Sequence, residues 1–206
     1  MRSLALVAFL SQFSLQGVTR CAPAPTNPTP DTPTVEEPVG EDAVETRSLA
    51  RDVDYAAAGD FSFTTTDELI VELPTGRQVK VSLFEPNATG PLPLVVLSPG
   101  FQLNRDFYRS YAEHLASWGF IVATQSYSGR VSGLFNSNHA SIAEDTLALV
   151  EALQTDTYLN LNINPEAVGL IGHSLGGKIS ILSAVLDSSI AAVVGLDPVD
   201  ANTPSV

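Results

Sequence analysis

Cysteine is almost absent from this sequence. Cys21 is the single one, so no disulfide can close within the chain. Histidine is scarce as well, with three residues at His114, His139 and His173, and none lies in a spacing that would hold a metal. Basic residues number 10 against 23 acidic ones, for a formal net charge of −13, which speaks against nucleic acid or an anionic membrane surface as a partner. Apolar runs are short: Leu4-Ala5-Leu6-Val7-Ala8-Phe9-Leu10 is followed by Ser11 and Gln12 and is too brief to span a bilayer. No internal repeat and no phosphate-cradling glycine loop is present, and no cofactor is expected.

What the chain does contain is a hydrophobic content of 44% with 16% charged residues, ordinary for a globular domain with a packed core, and 206 residues leave room for one such domain plus accessory segments. Residues 1–20, with Arg2 ahead of the Leu4–Leu10 run, fit a secretory signal peptide. Two cleavage patterns compete: Val18-Thr19-Arg20-Cys21 resembles a lipoprotein signal ending on the cysteine that receives lipid, and Ala22-Pro23-Ala24 resembles an A-x-A site. Export is therefore expected, with a lipid on Cys21 the one route to a membrane. Residues 21–48 then alternate Pro23, Pro25, Pro28, Pro30, Pro33 and Pro38 with Thr and Asn and add Glu36, Glu37, Glu41, Asp42 and Glu45. Such a stretch buries too little apolar surface to offset its ordering entropy, so an extended tether or a plain disordered leader is expected there.

Residues 49–206 read as alternating strands and helices, the pattern of an α/β domain with a mostly parallel sheet and helices on both faces. Leu69–Leu73, Pro74-Thr75-Gly76 and Gln78–Phe84 predict an antiparallel hairpin. Leu92–Leu97 is a nearly continuous apolar run suited to a central strand. Phe107, Tyr108, Tyr111, Leu115 and Trp118 recur at helical spacing up to a stop at Gly119, and Phe120–Ala123 is the next strand. Ser141 with Glu144 predicts a capping box for a helix to about Leu153, and Ala191–Leu196 predicts a last strand ending at Asp197-Pro198.

The chemistry concentrates in Gly172-His173-Ser174-Leu175-Gly176-Gly177, which follows the apolar run Ala167–Ile171 and precedes Ile179, Leu182, Val185 and Leu186 at helical spacing. A serine on a tight turn between strand and helix is exposed for attack, and glycines are needed at 172 and 176 because a Cβ there would strike neighbouring backbone. In such enzymes an oxyanion is held by the N–H after the nucleophile and by one from an earlier strand-end loop, which assigns Leu175 and, in Ser98-Pro99-Gly100-Phe101, Phe101. Asp197 ends a strand after the nucleophile and suits the acid that orients a histidine, with Asp200 a nearby competitor. The base is missing from its usual place, since no histidine follows Ser174. Within the loop Gln125–Ala140, which carries Arg130 and Phe135 and should overhang the site, His139 is the stand-in. His114 falls on a helix, and His173 points away from the Ser174 oxygen.

With these residues in view, the sequence resembles the chlorophyllase branch of the α/β-hydrolases, related to secreted polyester hydrolases and platelet-activating-factor acetylhydrolases. The resemblance runs from about Leu73 to Ala201 and rests on Ser98–Phe101, Leu115–Val122, Gln125-Ser126-Tyr127, Gly172–Lys178 and Gly195-Leu196-Asp197-Pro198-Val199-Asp200. It implies an α/β-hydrolase fold and carboxylic-ester hydrolysis through an acyl-enzyme on Ser174, with Asp197 as triad acid and a small-molecule, lipid or polymer ester as substrate. Two positions depart from chlorophyllases: Leu175 stands where they usually carry Arg, and Pro99 where that loop often has a histidine. The resemblance also implies further strands and a late catalytic histidine, so the sheet is expected to be incomplete after the strand ending at Leu196, and the chain as given inactive. The competing expectation is a hydrolase fold retained for binding without catalysis. Oligomeric state is left open.

Overall fold

The computed structural model describes residues 53–127 and 138–199. The expected signal peptide, the tether with Cys21, Arg130 and Phe135 of the loop, and Asp200 all lie outside the described residues.

Six strands form one mixed sheet in the order β1-β2-β4-β3-β5-β6, namely β1 Phe63–Glu72, β2 Gln78–Pro86, β3 Leu92–Ser98, β4 Ile121–Ser126, β5 Ile163–His173 and β6 Ala192–Leu196. β1–β2 and β2–β4 pair antiparallel, while β4–β3, β3–β5 and β5–β6 pair parallel. The hairpin is present: Gly76 sits at φ 76° and donates to the Leu73 carbonyl at 2.8 Å. β1 begins earlier than expected, at Phe63, because the β-branched run Thr64–Thr66 pairs with β2 before a bulge that places Glu68 at φ 56°.

Alternation along the central strands divides the core in two. Leu94, Val96, Ile121, Ala123, Val168 and Leu170 face one side with Leu149 and Leu153, whereas Val95, Leu97, Val122 and Ile171 face the other with Ala112 and Leu115. Three helices cover these faces: α1 Arg109–Ser117 on the second, and α2 His139–Thr155 with α3 Leu175–Leu186 on the first.

Three sequence expectations are corrected. The aromatic helical run is split into a 3₁₀ turn, Arg105–Tyr108, and α1, because Asn104 caps the turn by accepting from Asp106 N–H at 2.9 Å. The capping box at Ser141 and Glu144 is not formed. Asn138 is the N-cap, accepting from Ser141 N–H at 3.1 Å, which puts Ser141 inside the first turn of α2. In α3 only Ile179 and Leu182 of the expected apolar face are buried, while Val185 and Leu186 are exposed.

Candidate active site

β5 delivers the chain to a turn one residue long. Its last residue is His173, α3 begins at Leu175, and Ser174 between them has φ 52° and ψ −115°. That conformation is disfavoured for any residue with a Cβ. Tertiary backbone bonds hold it there. Ser174 N–H donates to the Leu196 carbonyl at 2.9 Å, and Val199 N–H donates to the Ser174 carbonyl at 3.2 Å. The exit of β6 thus straddles the serine. The flanking glycines have no room for a side chain: a Cβ on Gly172 would run into the Gly176 carbonyl, and one on Gly176 into the carbonyls of Ser98 and Pro99. Gly177 faces Pro198, whose Cβ would lie 2.9 Å from an added methyl.

The loop after β3 lies beside this turn. Phe101 packs against the cluster that holds Leu175, Ile142 and Ile179. Among the described residues, neither Phe101 N–H nor Leu175 N–H has a backbone acceptor, which leaves both donors available to a ligand. Below the loop, buried Gln125 donates to Ser98 Oγ at 2.7 Å and to Thr146 Oγ1 at 3.0 Å, clamping the end of β3 to β4 and α2. Arg105, 6% exposed, anchors the loop's far end through Ser82 Oγ at 2.9 Å and the Glu68 carboxylate. A cavity of about 410 Å³ opens next to Gly100, lined by Leu103, Phe107, Arg105, Lys80, Ser126 and Tyr127 among others.

Asp197 follows β6 directly and is drawn to the elbow by the two bonds on Ser174, but it is exposed rather than buried and sits at φ 51°. The histidines fall in three places. His114 Nε2 is 3.0 Å from the Tyr55 carbonyl, on the partly packed side of α1. His139 is not on a loop: it is the first residue of α2, buried, one turn before the Ile142 that packs on Leu175. His173 Nδ1 lies 2.9 Å from Tyr108 Oη. Sequence reasoning took Tyr108 as one residue of a helix face and Gln125 only as part of the resemblance, and passed over Arg105. The available signal was a hydroxyl, an amide and a guanidinium placed in or beside runs otherwise written for the core. Among the described residues no group of three or more His, Cys, Asp or Glu could hold a metal ion, and no helix is long and apolar enough to cross a membrane.

A mostly parallel sheet flanked by helices, with a strained serine between its fifth strand in space, β5, and the following helix, defines an α/β-hydrolase. Solved structures agree on the fold. A hypothetical protein, PA2218 from Pseudomonas aeruginosa, superposes with a TM-score of 0.53 at 19% identity, over 69% of this chain and 44% of that one. DcsB, in complex with its substrate analogue, gives 0.53 at 20% identity over 67% and 46%. The sequence profile of the Chlorophyllase family matches residues 58–205, and the chain belongs to that family. Chlorophyllase-1 of Arabidopsis thaliana is 30% identical over 125 residues, covering 55% of this chain and 37% of that protein. Lipase 1 of a Moraxella species is 28% identical over 109 residues, covering 53% and 33%. The chain thus spans about a third of the length of these two curated relatives.

Proposed function

We propose that this protein is an exported serine hydrolase of carboxylic esters that works through an acyl-enzyme on Ser174. The observation that carries the proposal is the backbone of Ser174, held at φ 52° and ψ −115° between β5 and α3 with Gly172 and Gly176 pressed against backbone on either side. Such strain persists only where surrounding structure over-determines it, and in this position it thrusts Oγ out over the carboxyl edge of the sheet. Similarity to chlorophyllases, a lipase and an esterase supports ester bonds as the target.

In the proposed cycle Ser174 Oγ attacks the ester carbonyl while its proton passes to a general base. The tetrahedral oxyanion is held by the N–H groups of Phe101 and Leu175. Collapse breaks the bond to the alkoxy oxygen, which leaves as the alcohol with the proton from the base, and water then hydrolyses the Ser174 acyl ester by the reverse proton path. Asp197 is assigned the acid that orients the base. His114 Nε2 meets the Tyr55 carbonyl and His173 Nδ1 meets Tyr108 Oη, and neither is assigned this role; the base is assigned to His139 or to a histidine from outside these 206 residues. The substrate is a small-molecule or lipid ester.

The test is fluorophosphonate labelling of the native protein isolated from its producing cells, read by peptide mass spectrometry. Label on Ser174, lost in Ser174→Ala, is expected; abolition by His139→Ala would assign the base to His139. A folded native protein that stays unlabelled overturns the proposal and leaves the hydrolase fold as a binding scaffold. The intact mass of the same material reads export, through removal of residues 1–20, and any lipid on Cys21.

A further inference from the structure

The oxyanion role given to Phe101 requires that its peptide group be held still, and the structure shows how. Phe101 N–H shares a planar trans peptide with the Gly100 carbonyl, so fixing Gly100 aims the Phe101 donor. Gly100 is fixed on both sides. Its carbonyl accepts from Leu103 N–H at 3.1 Å, and its N–H donates to the buried Tyr108 Oη at 2.9 Å. Tyr108 Oη in turn lies 2.9 Å from His173 Nδ1, with the two rings tilted at a centroid separation of 5.9 Å. Gly100 rests on that imidazole so closely that an added Cβ would sit 2.9 Å from Nδ1.

Gly100 N–H can only donate, so the phenol oxygen accepts from it. The second bond of that oxygen joins it to Nδ1, in the direction the His173 tautomer sets. Burial raises the Tyr108 pKa, outweighing the bond from Gly100 that lowers it, and the phenol keeps its proton. The residue just before the nucleophile and the residue just before the oxyanion donor are therefore joined through one hydroxyl, although 73 positions separate them in sequence (173 minus 100).

We infer that Tyr108 and His173 are positioning residues: the Gly100–Tyr108–His173 tie locks the Phe101 N–H in register with the Ser174 elbow, so that oxyanion site and nucleophile move as one body. This rests on the proposed ester hydrolysis for its kinetic consequence, but the tie itself can be measured without turnover.

The experiment compares Tyr108→Phe, His173→Ala and His173→Asn, together with the Tyr108→Phe/His173→Ala double variant, in the native full-length protein. Hydrolysis of p-nitrophenyl butyrate is read alongside hydrogen exchange at the Gly100 and Leu103 amides. Asparagine is the informative substitution, because its side-chain amide can occupy the place of Nδ1 and either accept from Tyr108 Oη or donate to it. Loss of the tie displaces a donor by a fraction of an ångström to an ångström, so Tyr108→Phe and His173→Ala should each lower kcat about 10- to 100-fold with KM within about twofold. The double variant should be no worse than either single one, and His173→Asn should recover most of kcat. Exchange at Gly100 and Leu103 should quicken in Tyr108→Phe and His173→Ala and stay near wild type in His173→Asn. Unchanged exchange in a folded Tyr108→Phe protein overturns the inference, as does a double variant whose losses multiply. If Tyr108→Phe does not fold, the His173 pair decides by the same two readouts. Failure of wild-type protein to hydrolyse the ester sinks the functional proposal alone, since the exchange comparison still judges the tie.

Discussion

Replacing Ser174 by glycine should make this protein more stable, while replacing it by alanine should not. Ser174 occupies φ 52° and ψ −115°, a region that a Cβ makes costly and that glycine enters freely. A residue held in such a region stores about 1–3 kcal/mol. Glycine brings a larger unfolded-state entropy that takes back about 0.4–1 kcal/mol. The difference leaves Ser174→Gly more stable by about 0.5–2 kcal/mol, or about 1–8 °C in Tm for a chain of this size. Ser174→Ala keeps the Cβ and therefore the strain. Its hydroxyl makes no capping bond to α3, so its loss should leave stability close to wild type.

The assay is thermal and urea unfolding of the three proteins followed by circular dichroism, with unfolding slopes compared so that a change in the denatured state is not mistaken for one in the native state. Stability in the order Gly above Ala and wild type, with both variants inactive, is the expected outcome. A Ser174→Gly protein no more stable than Ser174→Ala would refute the reasoning. It would mean that the backbone relaxes at no cost, and the strained elbow would cease to distinguish this serine from any other at a helix start.

Three further outcomes follow from particular contacts. Gly176→Ala should cost more than about 3 kcal/mol, because its Cβ would meet two carbonyl oxygens at the end of β3. Gly76→Ala, at φ 76° with open space around it, should cost only about 1 kcal/mol, and equal losses in urea melts would contradict this. Arg105→Ala should cost about 2–4 kcal/mol by stranding Ser82 and opening a void, while Glu68→Gln, on the exposed end of the same pair, should cost less than about 1 kcal/mol; equal costs would place the energy in the ion pair instead. Tyr127 has a buried hydroxyl with no hydrogen-bond partner among the described residues. Burial raises its pKa, and nearness to Ser98 offsets this only in part. A folded-state pKa above the unfolded value near 10 means full stability below about pH 10 and a loss as pH rises beyond it. Tyr127→Phe should therefore gain about 1 kcal/mol at neutral pH and flatten the alkaline loss; parallel pH–stability curves for the two proteins would count against it.

The parts of this fold that were legible in the sequence are those written in periodicity and in glycine. Leu92–Leu97 and Phe120–Ala123 announce buried parallel strands, Pro74-Thr75-Gly76 announces a turn, and Gly172 and Gly176 are where backbone meets backbone. Illegible were the choices made by polar side chains reaching across the fold. Asn104 and Asn138 each displaced an expected helix start, because a side-chain oxygen can satisfy an N–H two or three residues on wherever tertiary packing favours the boundary. Gln125, Arg105 and Tyr108 sit in stretches whose apolar pattern hides them, and their partners lie 8 to 65 positions away in sequence. His139 was misplaced to a loop for the same reason, since the cap that starts α2 one residue earlier is a side-chain event.

Backbone strain in this molecule is not scattered. Among the described residues five non-glycine positions have positive φ: Glu68, Gln102, Asn160, Ser174 and Asp197. Three of them, Gln102, Ser174 and Asp197, follow the carboxyl ends of β3, β5 and β6, one in each of three neighbouring strand exits. Glu68 bonds Arg105, which anchors the first of those exits. Strain of this kind is held only by structure that gains elsewhere, and here the holding contacts are on view: Leu196 and Val199 on Ser174, Leu103 and Tyr108 on Gly100, Pro198 against Gly177 and Gly195. A sheet edge used only for packing has no need of three disfavoured residues side by side. Concentrating them where a parallel sheet presents its ligands is what a preorganised site requires, because the donors and the nucleophile must be in place before the substrate arrives. At Ser174 the same physics sets the trade: glycine would stabilise the fold and remove the proposed nucleophile.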